Sequence, residues 1–184
     1  MRIGIDLDDT ISRTTEKVQE VCDDYAEKNH LDPLEVFNSE KLKLDFFKEN
    51  LVDIYTNVKI KHDVSDVIRR LKNKGNKIFI ITARSNYYLP DDYDVLEITK
   101  EWLKNNNIDV DDIFISAYGE TKADVCKKND IELMIDDDPY NYKKISSNGV
   151  RCLLFDDREK YDMKEDYVTS WLDIEKYIEK IVRK

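Results

Sequence analysis

The chain has 184 residues, with 40 acidic and 30 basic side chains and a formal charge of −10. Charged residues reach 38%, against roughly 25% in an average soluble domain, yet apolar types still supply 41%, enough for a core. Four glycines exclude a glycine-rich dinucleotide or P-loop cradle, and the acidic balance excludes a duplex-binding protein that relies on Lys and Arg against phosphates.

Residues 2–7 predict a short buried strand, and residues 11–29 a helix with Val18, Val21, Cys22 and Tyr25 at three- and four-residue steps. A mixed stretch runs from about 30 to 61, rich in aromatics (Phe37, Phe46, Phe47, Tyr55), and reads as short amphipathic pieces. From Asp63 the pattern becomes regular. A helix carrying Val64, Val67, Ile68 and Leu71 ends at Gly75, which suits a left-handed position after the last turn. Residues 77–82 predict a second strand, 95–105 a helix, 112–116 a strand, 121–128 a helix and 132–136 a strand. A helix opens at Pro139, a fifth strand spans 150–155, and a last helix carries Trp171, Ile174, Tyr177, Ile178 and Ile181.

Strands alternating with helices imply an α/β fold with a parallel sheet between helical layers. The break in that rhythm is the insertion after the first strand, read as a small helical cap over 14–62 on a core of 1–13 and 63–184. No signal-peptide pattern and no membrane-length apolar run is expected. Cys22, Cys126 and Cys152 lack CxxC spacing and neighbouring histidines, so they are expected to be reduced thiols in a cytoplasmic protein. His30 and His62 are isolated and expected on the surface.

Two acidic clusters follow strands. Asp6-Leu-Asp-Asp-Thr10 ends the first, and residues two apart in an extended chain point the same way, so Asp6 and Asp8 can converge. Asp136-Asp-Asp138 ends the fourth. Asp138 before Pro139 fits an N-cap, which leaves Asp136 and Asp137 unexplained. Adjacent carboxylates repel, and a hard cation such as Mg²⁺ relieves this. Thr82 ends the second strand. Lys122 opens a helix, where the helix dipole disfavours a cation; it is either a surface lysine or one aimed into the acidic site.

In this order the four elements resemble the haloacid dehalogenase superfamily of phosphotransferases: DxDxT after the first strand, Thr after the second, Lys before the fourth and an acidic pair after it. The Ile80-Ile-Thr-Ala-Arg-Ser85 and Leu133-Met-Ile-Asp-Asp-Asp-Pro139 segments look like the 5′(3′)-deoxyribonucleotidase group and its bacterial relatives. Ala83 departs from the phosphate-binding serine that the animal enzymes place after the threonine. The resemblance implies a Rossmannoid three-layer sheet with the first strand central, next to the fourth.

It also implies a Mg²⁺-dependent phosphomonoesterase, with Asp6 as nucleophile forming an aspartyl-phosphate and Asp8 as general acid and base. Mg²⁺ would be held by the Asp6 carboxylate, the Asp8 backbone carbonyl and the Asp136–Asp137 pair, with Asp137 favoured as the direct ligand and the two exchangeable. Thr82 and Lys122 would hold phosphoryl oxygens, Thr10 would support the loop, and Asp9 would be a solvated turn residue. The favoured substrate is a nucleoside monophosphate, ahead of another small phosphorylated metabolite; no nucleic acid polymer or membrane is expected as a partner. A non-enzymatic scaffold is the alternative. A signalling receiver domain fits poorly, because its acceptor aspartate lies on the third strand, where the acid near at hand is Asp112, at the strand's start.

Overall fold

The structure is a computed structural model that describes residues 1–116, 119–161 and 166–182. Part of the tail after Asp156 therefore lies outside the described residues. Six parallel strands form one sheet: β1 (Arg2–Ile5), β2 (Lys77–Thr82), β3 (Asp112–Ile115), β4 (Leu133–Asp136), β5 (Arg151–Phe155) and the short β6 (Tyr167–Val168). Their spatial order is β3-β2-β1-β4-β5-β6, all pairs parallel. β6 is an addition to the five strands expected; two residues are too few to show a periodic signal.

The inner strands are apolar almost throughout because both faces are covered. Ile3, Ile5, Ile78, Ile80, Leu133 and Ile135 belong to one buried cluster. It is completed by α4 (Val64–Asn73), α5 (Val95–Asn105) and α8 (Trp171–Val182). Phe79, Ile81, Met134 and Cys152 belong to a second cluster, under α6 (Lys122–Lys128) and α7 (Pro139–Ser147). Gly4 lies on this second side, where a Cβ would stand 2.8 Å from Ile81 Cδ1 and 2.9 Å from Met134 Sδ. The three cysteines are free and buried, both histidines are exposed, and Gly75 takes φ +84° after α4. No helix among the described residues is long and apolar enough to cross a membrane.

The insertion is more regular than its sequence suggests. α1 (Thr14–Asn29) begins three residues later than expected, and the mixed stretch resolves into α2 (Pro33–Asn38) and the 18-residue α3 (Glu40–Asn57). Asp32 and Ser39 cap α2 and α3 through their side chains. The three helices share their own buried cluster, with Tyr25, Val36, Phe46 and Ile54 at its centre. α3 is apolar on two sides. Phe46 and Ile54 face this cluster, while Leu51 packs with Leu89 and Val95 of the segment that follows β2. The two ends of the insertion are tied by an isolated antiparallel bridge between Ser12 and Ile60, with Arg13 N donating to Lys59 O and Lys61 N to Ile11 O, both at 2.8 Å.

Candidate active site

β1 runs next to β2 on one side and β4 on the other, so the chain order reverses between β1 and β4. In open α/β sheets the carboxyl ends at such a switch point form a crevice. Asp6 follows β1 there, its N–H donating to Ile135 O at 2.9 Å, and Asp136 ends β4 beside it. One carboxylate oxygen from each of Asp6, Asp136 and Asp137 lies within 4.8 Å of the others.

Lys122 reaches this group from the first turn of α6. Its Nζ stands 2.7 Å from Asp6 Oδ1 and 2.8 Å from Asp136 Oδ2, with all three side chains buried. The helix start that carries it is fixed by a capping box between Thr121 and Asp124. Lys122 is thus aimed into the acidic site. Burial alone would lower its ammonium, but the two carboxylates outweigh that and hold it charged well above its ordinary range.

Asp136 accepts three hydrogen bonds: besides Lys122 it accepts from Asp138 N at 3.0 Å and Asn141 Nδ2 at 3.2 Å. Asp137 accepts from Thr10 Oγ1 at 3.3 Å. Burial, then the neighbouring Asp136 and Asp9 charges, push its carboxyl up to about 6. Asp6 is also raised well above its usual range, by burial first; Lys122 opposes the shift, and Asp136 and Asp137 add to it. This is a donor set with excess negative charge, all hard oxygen, which fits a small divalent cation. Asp138 caps α7 as expected, accepting from Tyr140 N at 2.8 Å with Pro139 next in the helix.

Asp8 has different partners. Arg84, two residues past β2, grips it through Nε and Nη2 at 2.7–3.1 Å, and Thr14 Oγ1 donates to it at 2.6 Å. Burial raises the Asp8 carboxyl, but Arg84 and Thr14 outweigh it and hold the group below its ordinary value. The Arg84 side chain is fully buried, its guanidinium carbon 4.1 Å from the centre of the Tyr55 ring on α3. Thr82 is buried with its hydroxyl oxygen accepting from Arg84 N at 3.2 Å.

Asp9 is not the solvated turn residue expected. It adopts φ +58° and accepts from Thr15 N at 3.0 Å and from Thr15 Oγ1, and it pairs with Arg158 at 3.1 Å. The polar side chains of a turn must find partners when the turn is packed under other elements. Asn141 and Arg158 were not expected at the site. Arg84, which the sequence offers as a stand-in for the serine that Ala83 replaces, instead holds Asp8, and Tyr55, one of the insertion's aromatics, packs on Arg84. The local signal for Arg84 is a charged residue two positions past an apolar strand.

No known protein-family profile matches the chain. A curated nucleotidase from Clostridium acetobutylicum is 26% identical over 152 residues, covering 83% of this chain and 71% of its own length. A haloacid dehalogenase-like hydrolase from Streptococcus pneumoniae superposes with a TM-score of 0.70 at 12% identity, covering 96% of this chain and 97% of the other. The fold is that of the haloacid dehalogenase-like hydrolases. A further member from Bacillus subtilis, whose structure is described as bound to magnesium, superposes with a TM-score of 0.69 at 13% identity, covering 97% of this chain and 98% of its own. The expected architecture is borne out, including a central β1 beside β4. The receiver alternative falls with it: β3 ends at Ile115 with no acid, and Asp112 sits at its far end.

Proposed function

We propose that the chain is a Mg²⁺-dependent phosphomonoester hydrolase that works through an aspartyl-phosphate on Asp6 and takes a nucleoside monophosphate as substrate. The observation that carries this reading is the position of Asp6, at the switch point between β1 and β4, paired with Lys122 at 2.7 Å and facing Asp136 and Asp137. Lys122 favours the ionised form of this carboxylate, a bound cation would add to that, and an ionised carboxylate is a competent nucleophile toward phosphorus. The nucleotidase named above supports the substrate class.

In the first half-reaction an Asp6 oxygen bonds to phosphorus, the ester P–O bond breaks, and Asp8 gives a proton to the leaving alkoxide. In the second, water attacks phosphorus, Asp8 takes its proton, and the Asp6–phosphorus bond breaks to release phosphate. The Arg84 fork presents Asp8 ionised, the form suited to the second half. For the first, the fork must loosen and Asp8 must take up a proton from solvent, which it gives to the alkoxide and regains from the attacking water. Lys122 and Thr82 would donate to the phosphoryl oxygens. Asp6, Asp137 and the Asp8 carbonyl would hold the cation. Asp137 is favoured over Asp136 as the direct ligand, since Asp136 already accepts three hydrogen bonds and Asp137 one. When bound, Mg²⁺ offsets charge on the phosphoryl group.

The helical unit over 14–62 would act as a cap, with Tyr55 bringing α3 against the residue that holds Asp8. The test is phosphate release from a panel of nucleoside monophosphates, sugar phosphates and 4-nitrophenyl phosphate, with Mg²⁺ or EDTA and an Asp6→Asn control. Release that survives EDTA or Asp6→Asn overturns the mechanism. Hydrolysis of sugar phosphates without nucleotides overturns the substrate assignment.

A further inference from the structure

The C-terminal segment contacts the turn that follows β1 at two consecutive residues. Arg158, in the loop after β5, pairs with Asp9 at 3.1 Å. Trp171, the first residue of α8 and fully buried, donates its indole N–H to the Thr10 carbonyl at 3.0 Å. The loop is itself built to present Arg158. Buried Asp156 accepts from Arg158 N, Tyr161 N and Tyr167 Oη at 3.3, 2.9 and 3.2 Å. Asp157 pairs at 2.5 Å with Lys61, a buried lysine in the segment that returns from the helical insertion.

Asp9 has a left-handed backbone, φ +58°, a conformation an aspartate adopts when its side chain finds hydrogen-bond partners around it. Here those partners are Thr15 on one side and Arg158 on the other. We propose that Arg158 and Trp171 are positioning residues that hold the Asp6–Thr10 turn in its working shape, so that the tail is a working part of the site. Through that turn they set the aim of the Asp6 and Asp8 side chains and of the backbone groups between them. The inference rests on the assignment of this turn as catalytic.

The test compares Arg158→Gln, Arg158→Lys, Trp171→Phe and Lys176→Gln with the unaltered protein. Lys176→Gln removes an exposed ion pair of the same helix, with Asp173, leaving the Trp171–Thr10 hydrogen bond in place. Two readouts are taken: kcat and KM on 4-nitrophenyl phosphate with Mg²⁺, and backbone amide hydrogen exchange at residues 7–12. Arg158→Gln and Trp171→Phe are expected to lower kcat by about tenfold to a hundredfold with KM within about threefold, the mark of misaligned reacting groups rather than lost binding. Exchange should quicken at residues 8–12 in both. Arg158→Lys should recover most of the rate, and Lys176→Gln should match the unaltered protein.

Unchanged kcat and exchange in both variants, with Asp6→Asn inactive, overturns the positioning role while leaving the proposed function intact. A loss shared equally by Lys176→Gln also overturns it. If the unaltered protein releases no phosphate from any substrate, the function reading fails, and exchange alone decides: quickened exchange confined to the turn supports the clamp, and unchanged exchange refutes it.

Discussion

Arg84 closes a bidentate fork on Asp8, with contacts of 2.7–3.1 Å, while the face of its guanidinium rests on Tyr55. The pair joins the end of β2, the turn after β1 and the helical insertion in one contact. Its electrostatic effect has a sign. Arg84 holds the Asp8 carboxyl below its ordinary value against the upward pull of burial, so its removal raises that carboxyl. A group that must donate a proton works at pH values up to its own pKa. Arg84→Gln is therefore expected to move the descending limb of kcat against pH to higher pH for alkyl phosphates. The shift should be small for 4-nitrophenyl phosphate, whose leaving group needs no proton. Identical limbs for both proteins on an alkyl phosphate would show that Asp8 is not the acid.

Lys122 balances two buried carboxylates with one ammonium. Removing one partner of a buried ion pair costs about 3–5 kcal/mol, because the charges left behind lose their compensation. Lys122→Met is expected to destabilise the metal-free protein on that scale in urea unfolding. Added Mg²⁺ should restore part of the loss, since it supplies positive charge to the same oxygens. Activity should fall by about 10²–10³-fold, as for the loss of a preorganised donor to a developing charge. A Met variant as stable as the unaltered chain would mean that Lys122 does not compensate these acids.

Much of this was legible in the sequence, for stated reasons. Asp6, Asp136 and Asp137 stood out because carboxylates at the ends of apolar strands have no packing role. Lys122 stood out because a cation opposes the dipole at a helix start. The parallel sheet followed from strands and helices in alternation. α3 was obscured because it buries residues on two sides, toward its own helical cluster and toward Leu89 and Val95, which leaves no single apolar stripe. The partners of the turn after β1 were hidden for a different reason. Arg84–Asp8, Arg158–Asp9 and Trp171–Thr10 join residues 76 to 161 positions apart, and no local pattern encodes a pairing at that range.

Asp137 gives the cation site a pH signature. Its carboxyl is raised to about 6 in the folded protein, against about 3.9 for an unperturbed aspartate. Between those values the metal-free native state holds a proton that the unfolded chain has released, so this group's contribution to stability falls as pH rises through that window. A cation needs the ionised form and competes with the proton. The rise in Tm on adding Mg²⁺ is therefore expected to be large near pH ~7.5 and small near pH ~5, because proton competition sets the apparent affinity. Scanning calorimetry at the two pH values checks it, and Asp137→Asn should abolish the rise. An equal Tm increase at both values would place the cation elsewhere.

Gly4 tests how closely the sheet is packed under the site. It shares a face with Asp6, two residues on, and a Cβ there would stand 2.8 Å from Ile81 Cδ1 and 2.9 Å from Met134 Sδ. Both obstacles are ends of side chains, and a thioether chain re-packs easily. Gly4→Ala is thus expected to cost about 1–3 kcal/mol, the range for overpacking a close-packed core. At about 2–4 °C of Tm per kcal/mol for a chain of this size, calorimetry resolves it. Activity should hold, because the swing of two side-chain ends leaves the β1–β4 pairing in place. Gly4→Val adds two methyl groups beyond a Cβ that already meets Ile81, Met134 and, at 3.2 Å, Ile131. It should part β1 from β2 and β4, and with them Asp6 from Asp136 and Lys122, so that stability and phosphate release fall together. A fully active Val variant would show that the alignment of Asp6 does not depend on the close approach of these three strands.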